Sequence, residues 1–249
     1  MNQPLQQLFV QQTKRLWPLL TAIAEQPITT ESSRQQLLYY LHTLKGSALG
    51  ADQHTLAEAC HIAESALLVG DFHSYWPELK AYWLPILARP THALQTADEL
   101  AQAVQTFFQE TAKQIGYPAQ LHVDIDELWL SEQDLLWDML PHLLRNALSH
   151  GAQSAAERLA AGKPAVQQVV LRAYVRQASK MSYFLLLADD GAGVAKPVQQ
   201  ATLWQGRGQG VAAVRAALLS RAKQLGYQAR LRWRGRPQAG AAVRLSLRP

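Results

Sequence analysis

A histidine that accepts a phosphoryl group needs partial exposure, a nearby cation and room for the incoming group. Residues 37–52, LLYYLHTLKGSALGAD, supply those residue types at helical spacing. Leu37, Leu41, Leu44 and Ala48 recur at the intervals of a buried helical stripe. His42 is one residue past Leu41, about 100° round the helix, so it belongs at the rim of that stripe and partly in water. Lys45, at i+3, shares its face and can neutralise an anion on the imidazole. Gly46, at i+4, removes bulk beside it. The plainer alternative is a histidine that only flanks an amphipathic stripe. Further on, His61 and Glu64 stand one turn apart. Glu64 either reaches across to a ring nitrogen of His42, fixing its tautomer and leaving the other nitrogen as nucleophile, or is a solvated helix residue.

A second group of chemically capable residues lies in 132–151, EQDLLWDMLPHLLRNALSHG. Leu136, Leu140, Leu143 and Ala147 make its apolar side. The other side carries Asp138, His142, Arg145, Asn146, Ser149 and His150 in i+3/i+4 steps. A solvated face is usually Lys, Glu and Gln; this one offers amide, imidazole and guanidinium, suited to metal, phosphate and proton handling. Ser131 is expected to cap the helix, with Asp134 three residues on, and Pro141 to interrupt or kink it.

Two glycine clusters follow. ADDGAG at 188–193 ends a strand-like run and aims a carboxylate over a sharp turn, a pattern that also fits ordinary turns. GRGQG at 206–210 opens a helix, where exposed N–H groups can meet phosphate or simply form a helix-entry loop.

These residues need two kinds of scaffold. The periodicity predicts helices over 5–24, 32–50, 56–69 and 74–87, joined by short connections as in an antiparallel four-helix bundle. Pro90 and the segment 88–96 break the pattern and set a domain boundary, giving units of 1–90 and 97–249. The second unit reads as a helix over 99–115, a strand over 119–125, the long helix, a short helical piece over 154–161, strands over 166–175 and 183–187, a helix over 211–225 and a hairpin from 228–234 and 242–247. The single cysteine, Cys60, excludes an internal disulfide and reads as a small buried hydrophobe. No apolar run has the length of a membrane span and the N-terminus lacks signal-peptide character, so a cytoplasmic protein is expected.

The net charge of +5 is unevenly placed: residues 165–249 hold 14 Lys+Arg against 2 Asp+Glu. An anionic ligand is therefore expected in the second unit. Arginines 230, 232, 234 and 236 should face one way, as a solvated sheet face or a nucleic-acid surface. The latter lacks interleaved aromatics beyond Trp233, so nucleic acid is not the expected partner.

Together the motifs resemble a known family. HTLKGSA followed by HIAESALL is similar to the histidine phosphotransfer domain of the CheA chemotaxis-type histidine kinases. HLLRNALSHG, AAERLAAGKP, DDGAG, GRGQGVAAV and GAAVRLSL resemble, in order, their ATP-binding domain of the GHKL class shared with gyrase and the Hsp90 chaperones. The resemblance implies an N-terminal four-helix phosphotransfer bundle followed by a Bergerat-type α/β sandwich. It implies His42 as phosphoacceptor, Glu64 as its tautomer partner, and Lys45 and His61 as supports for the phosphoryl group. Asn146 would ligate Mg²⁺ between the ATP phosphates; His142, Arg145, His150 and Lys163 would line the triphosphate. Asp190 would accept the adenine amino group, Gly193 would give the ring room, and Gly206, Gly208 and Gly210 would cradle phosphate. ATP and Mg²⁺ are the implied cofactors, a response-regulator receiver domain the implied partner, and an upstream sensor the implied input. Ser149 stands where the family carries an acid, and twelve residues, 194–205, separate the glycine motifs in place of its longer lid. Counterparts of the family's dimerisation hairpin and SH3-like domain are not found in the sequence, so a minimal version is expected.

Overall fold

A computed structural model describes residues 3–150, 152–193 and 209–249. The chain divides into two compact units, Met1–Ala93 and Leu94–Pro249.

The first unit is a four-helix bundle: α1 (Gln3–Ala24), α2 (Glu31–Gly50), α3 (His54–Val69) and α4 (Phe72–Leu87). Each helix packs on its chain neighbour, and α1 closes the ring against α4. Thr30 begins α2 by accepting a hydrogen bond from the Ser33 N–H at 3.1 Å, and Gly70 ends α3 at φ +84°, where a side chain would be strained. Leu37, Leu41, Leu44 and Ala48 are all buried, as the stripe requires. They meet a core of stacked rings, Trp17 on Trp76 at 5.5 Å and Phe72 on Trp76 at 5.7 Å. Such contacts add about 0.5–1.5 kcal/mol each beyond the area they bury. Cys60 is buried within this core, and burial pushes its thiol pKa up.

The second unit is a two-layer α/β sandwich. It comprises α5 (Ala97–Ile115), β1 (Ala119–Ile125), a 3-10 turn (Glu127–Glu132), α6 (Gln133–His150), α7 (Ala155–Ala160), β2 (Gln167–Gln177), β3 (Met181–Asp189), α8 (Gln209–Leu225), β4 (Gln228–Gly235) and β5 (Ala241–Arg248). The sheet order is β1-β2-β3-β5-β4; β1 and β2 are parallel and every other pair is antiparallel. Helices α5, α6 and α8 form one layer against the sheet. Strand residues alternate, so Val169, Leu171, Leu185, Leu187, Val243 and Leu245 are buried beneath that layer. Among the described residues no helix is long and apolar enough to cross a membrane.

The helical-bundle-plus-sandwich class is as expected, and several local expectations change. Ser131 does not cap α6: it lies in the 3-10 turn, donates to the Leu128 carbonyl at 2.9 Å and sits 3.1 Å from the Tyr183 hydroxyl. Asp126 caps that 3-10 turn, accepting from the Leu128 N–H at 2.9 Å. Helix α6 runs through Pro141. The proline costs it one internal hydrogen bond, which packing on α5 and α8 offsets. Arg236 leaves the arginine row, because β4 ends at Gly235 and the Arg236 N–H turns toward the Gly240 carbonyl at 3.3 Å.

Candidate functional site

In the bundle, α2 presents His42 at its rim with 29% of the side chain exposed. Helix α3 packs beside it and aims Glu64 at the imidazole; Nδ1 lies 3.4 Å from Oε1, long for a hydrogen bond but within ion-pair range. Lys45 holds the other oxygen, Oε2, in a close ion pair. His61 reaches the same oxygen from farther away, 3.9 Å, and is mostly exposed. Burial pushes the Glu64 carboxyl upward, but the contacts and charges of His42 and Lys45 outweigh it and hold its pKa below the ordinary value. The four residues named from the sequence thus form one cluster. A Cβ built on Gly46 meets nothing within 4 Å, so the space beside His42 is open.

In the sandwich, α6 does not present its polar residues as one wet face. Asp138 and His142 are buried, Arg145 and Asn146 half-buried, and Ser149 exposed, donating back to the Arg145 carbonyl at 2.8 Å. Asp138, His142 and Asn146 follow one another at i+4, so this stripe runs from the interior outward along the helix. The reason is packing: α5, α8 and β3 cover most of the helix circumference. Burial pulls the Arg145 guanidinium below its ordinary pKa. The side chain of His150, and Gly206 and Gly208 entirely, lie outside the described residues; Gly210 falls in the first turn of α8.

The acidic pair at the end of β3 divides its work differently from the expectation. Asp190 is taken up by structure: Oδ2 accepts from Nη2 of Arg158 at 2.7 Å and Oδ1 from the Gln168 N–H at 2.8 Å. Arg158, fully buried, also donates to the carbonyls of Pro164 and Val166. Lys163 spends its three hydrogens on the carbonyls of Asp190 and Gly191, at 2.8 and 2.7 Å, and on Gln153 Oε1 at 3.1 Å. Those bonds tie Lys163 to the loop. Asp189, by contrast, extends β3 in register with Tyr183, Leu185 and Leu187, on the helix side of the sheet. Its Oδ1 accepts from the Gly191 and Ala241 N–H groups at 3.0 and 3.3 Å. Burial raises its carboxyl pKa, and the two backbone donors only partly oppose this. Ending the strand at residue 187 hid this; continuing the alternation by one step finds Asp189.

Gly193 (φ +70°) and Gly240 (φ +79°) let the loop and the β4–β5 turn touch. A Cβ on Gly193 would overlap the Arg236 carbonyl, and one on Gly240 the Asp189 carbonyl. Gly193 therefore makes room for the backbone of the β4–β5 turn.

No protein-family profile matches the chain. It is 43% identical over 61 residues to the chemotaxis protein CheA of Bacillus subtilis, covering 24% of this chain and 9% of that protein. To CheA of Cereibacter sphaeroides it is 40% identical over 62 residues, 25% of this chain and 9% of that one. The chain thus spans under a tenth of the length of these curated relatives. Among solved structures it is similar to the histidine kinase domain of the blue-light activated histidine kinase of Erythrobacter litoralis, with a TM-score of 0.46, 16% identity and 94% of each chain covered. The mycobacterial sensor histidine kinase MprB gives a TM-score of 0.39 at 17% identity over 61% of this chain and 94% of that one. The CheA matches bear out the resemblance drawn from the motifs.

Proposed function

We propose that the chain is a CheA-like histidine kinase: the second unit binds ATP, the γ-phosphoryl group passes to His42, and a response-regulator aspartate takes it on. The observation that carries this reading is the His42–Glu64–Lys45 cluster. Glu64 faces Nδ1, which holds the proton there and leaves the lone pair of Nε2 to attack phosphorus in line. A P–N bond forms as the bond from the γ-phosphorus to the bridging oxygen breaks, and ADP leaves with that electron pair. Lys45 adds positive charge beside the new phosphoramidate. The barrier falls through positioning and neutralisation.

For the nucleotide, Asn146 and Arg145 on α6 and Asp189 on β3 are the residues of this chain that suit the task. A half-buried amide fits Mg²⁺, which keeps water and phosphate oxygens as most of its ligands and neutralises charge on the phosphates. Asp189 replaces Asp190 as the acceptor for the adenine amino group, because both Asp190 oxygens already hold the loop.

A second reading is a phosphotransfer or docking protein with a nucleotide domain that no longer catalyses. The committed hydrogens of Lys163 favour it. Incubation with γ-labelled ATP and Mg²⁺ separates the two. The kinase gives acid-labile label on wild type and none on His42→Gln or Asn146→Ala. Absence of label together with no heat of nucleotide binding would rule out the kinase and leave the relay.

A further inference from the structure

We propose that the open face of the sheet in the second unit docks an acidic segment of a partner protein, one that alternates Asp or Glu with apolar residues. This face is opposite the helical layer. The register builds it in rows: Arg172, Leu186, Arg244 and Arg232 lie directly abreast, as do Tyr174, Phe184, Ser246 and Arg230. Arg172, Arg230, Arg232 and Arg244 are exposed. Among the described residues the acid facing them is Asp124, 3.9 Å from Arg172 and itself largely in water.

Three features set this face apart from an ordinary solvated one. Arg232 and Arg244 are direct cross-strand partners, and like charges opposite each other cost stability. An anionic partner would convert that cost into binding. The middle of the face is apolar and half-buried, with Val170, Leu186, Ala188 and Ala242 side by side. An apolar centre with an arginine rim and, among the described residues, no lysine is the composition of a protein interface. Finally, Tyr174 (41% exposed) stacks on Phe184 at 5.0 Å and 9°, and the pair is covered by guanidinium groups. Arg176 lies 5.3 Å and Arg248 5.1 Å from the Phe184 centroid. The rings pre-orient the arginine forks for carboxylates. Guanidinium groups already lie over Phe184 where a base would stack, which argues against single-stranded nucleic acid.

The test is binding of a labelled peptide alternating Glu and Leu to the full chain, beside its Gln-for-Glu counterpart and an oligothymidylate of equal charge. The Glu peptide is expected to bind, with affinity falling as salt rises, and the other two to bind at least about tenfold more weakly. Arg232→Thr and Arg244→Thr should each weaken the peptide about tenfold while raising the melting temperature, since the repulsion is relieved. Peptide affinity unchanged in both variants, or oligothymidylate binding as tightly as the peptide, overturns the proposal. The second outcome assigns the face to nucleic acid.

Discussion

Nη2 of Arg158 donates to Oδ2 of Asp190 at 2.7 Å, from a guanidinium with no exposed surface. This pair ties α7 to the end of β3, and so fixes where the acidic turn begins.

Arg158→Ala should therefore destabilise the second unit. Breaking a buried pair costs about 3–5 kcal/mol, reduced here to roughly 2–3 because Asp190 keeps access to water. Thermal unfolding followed by tryptophan fluorescence and circular dichroism would show the loss. An unchanged melting curve would mean the pair holds nothing in place.

Asp189→Asn and Asp190→Asn should separate recognition from structure. An amide oxygen at 189 can still accept from the Gly191 and Ala241 N–H groups, so the fold should be kept, while nucleotide affinity falls at least about tenfold as a donor replaces an acceptor. Asp190→Asn should lower stability and leave affinity per folded molecule nearly intact. Calorimetry on both variants decides it. Because burial raises the Asp189 carboxyl, wild-type affinity should weaken on acidification at a pH above the ordinary aspartate value of about 3.9.

Glu64 makes a pH prediction for the bundle. Its folded-state pKa lies below the ordinary value, because the favourable contacts of His42 and Lys45 overcome burial. The stabilisation is therefore fully present above the unfolded glutamate pKa of about 4.3, and is lost as pH falls through the lower, folded-state value. Unfolding midpoints measured across that window should drop for wild type and flatten for Glu64→Gln. Parallel curves for the two proteins would show that the carboxylate is not linked to folding.

Gly46→Ala should stabilise and yet impair. The added methyl meets nothing within 4 Å, and alanine gains about 0.5–1 kcal/mol over glycine inside a helix. The same methyl narrows the space beside His42, so phosphorylation of His42 should slow. A more stable protein that is labelled as fast as wild type would show that the glycine does not provide access.

The sequence alone determined whatever repeats along the chain. Leucines every three or four residues specified α2 and placed His42 at its rim, because helical geometry converts spacing directly into facing. The same logic named Glu64, Lys45 and Asn146 and the order of helices and strands. Tertiary structure decided what depends on how far elements extend and what lies against them. It buried His142 and Asp138 by packing α5, α8 and β3 round α6. By carrying β3 two residues farther than expected, it turned Asp189 toward the helices and left Asp190 to Arg158. It also brought Tyr174, Phe184 and Arg248 onto one face from three different strands. Residues far apart in sequence become neighbours only through strand register, and register is set by pairing across the whole sheet.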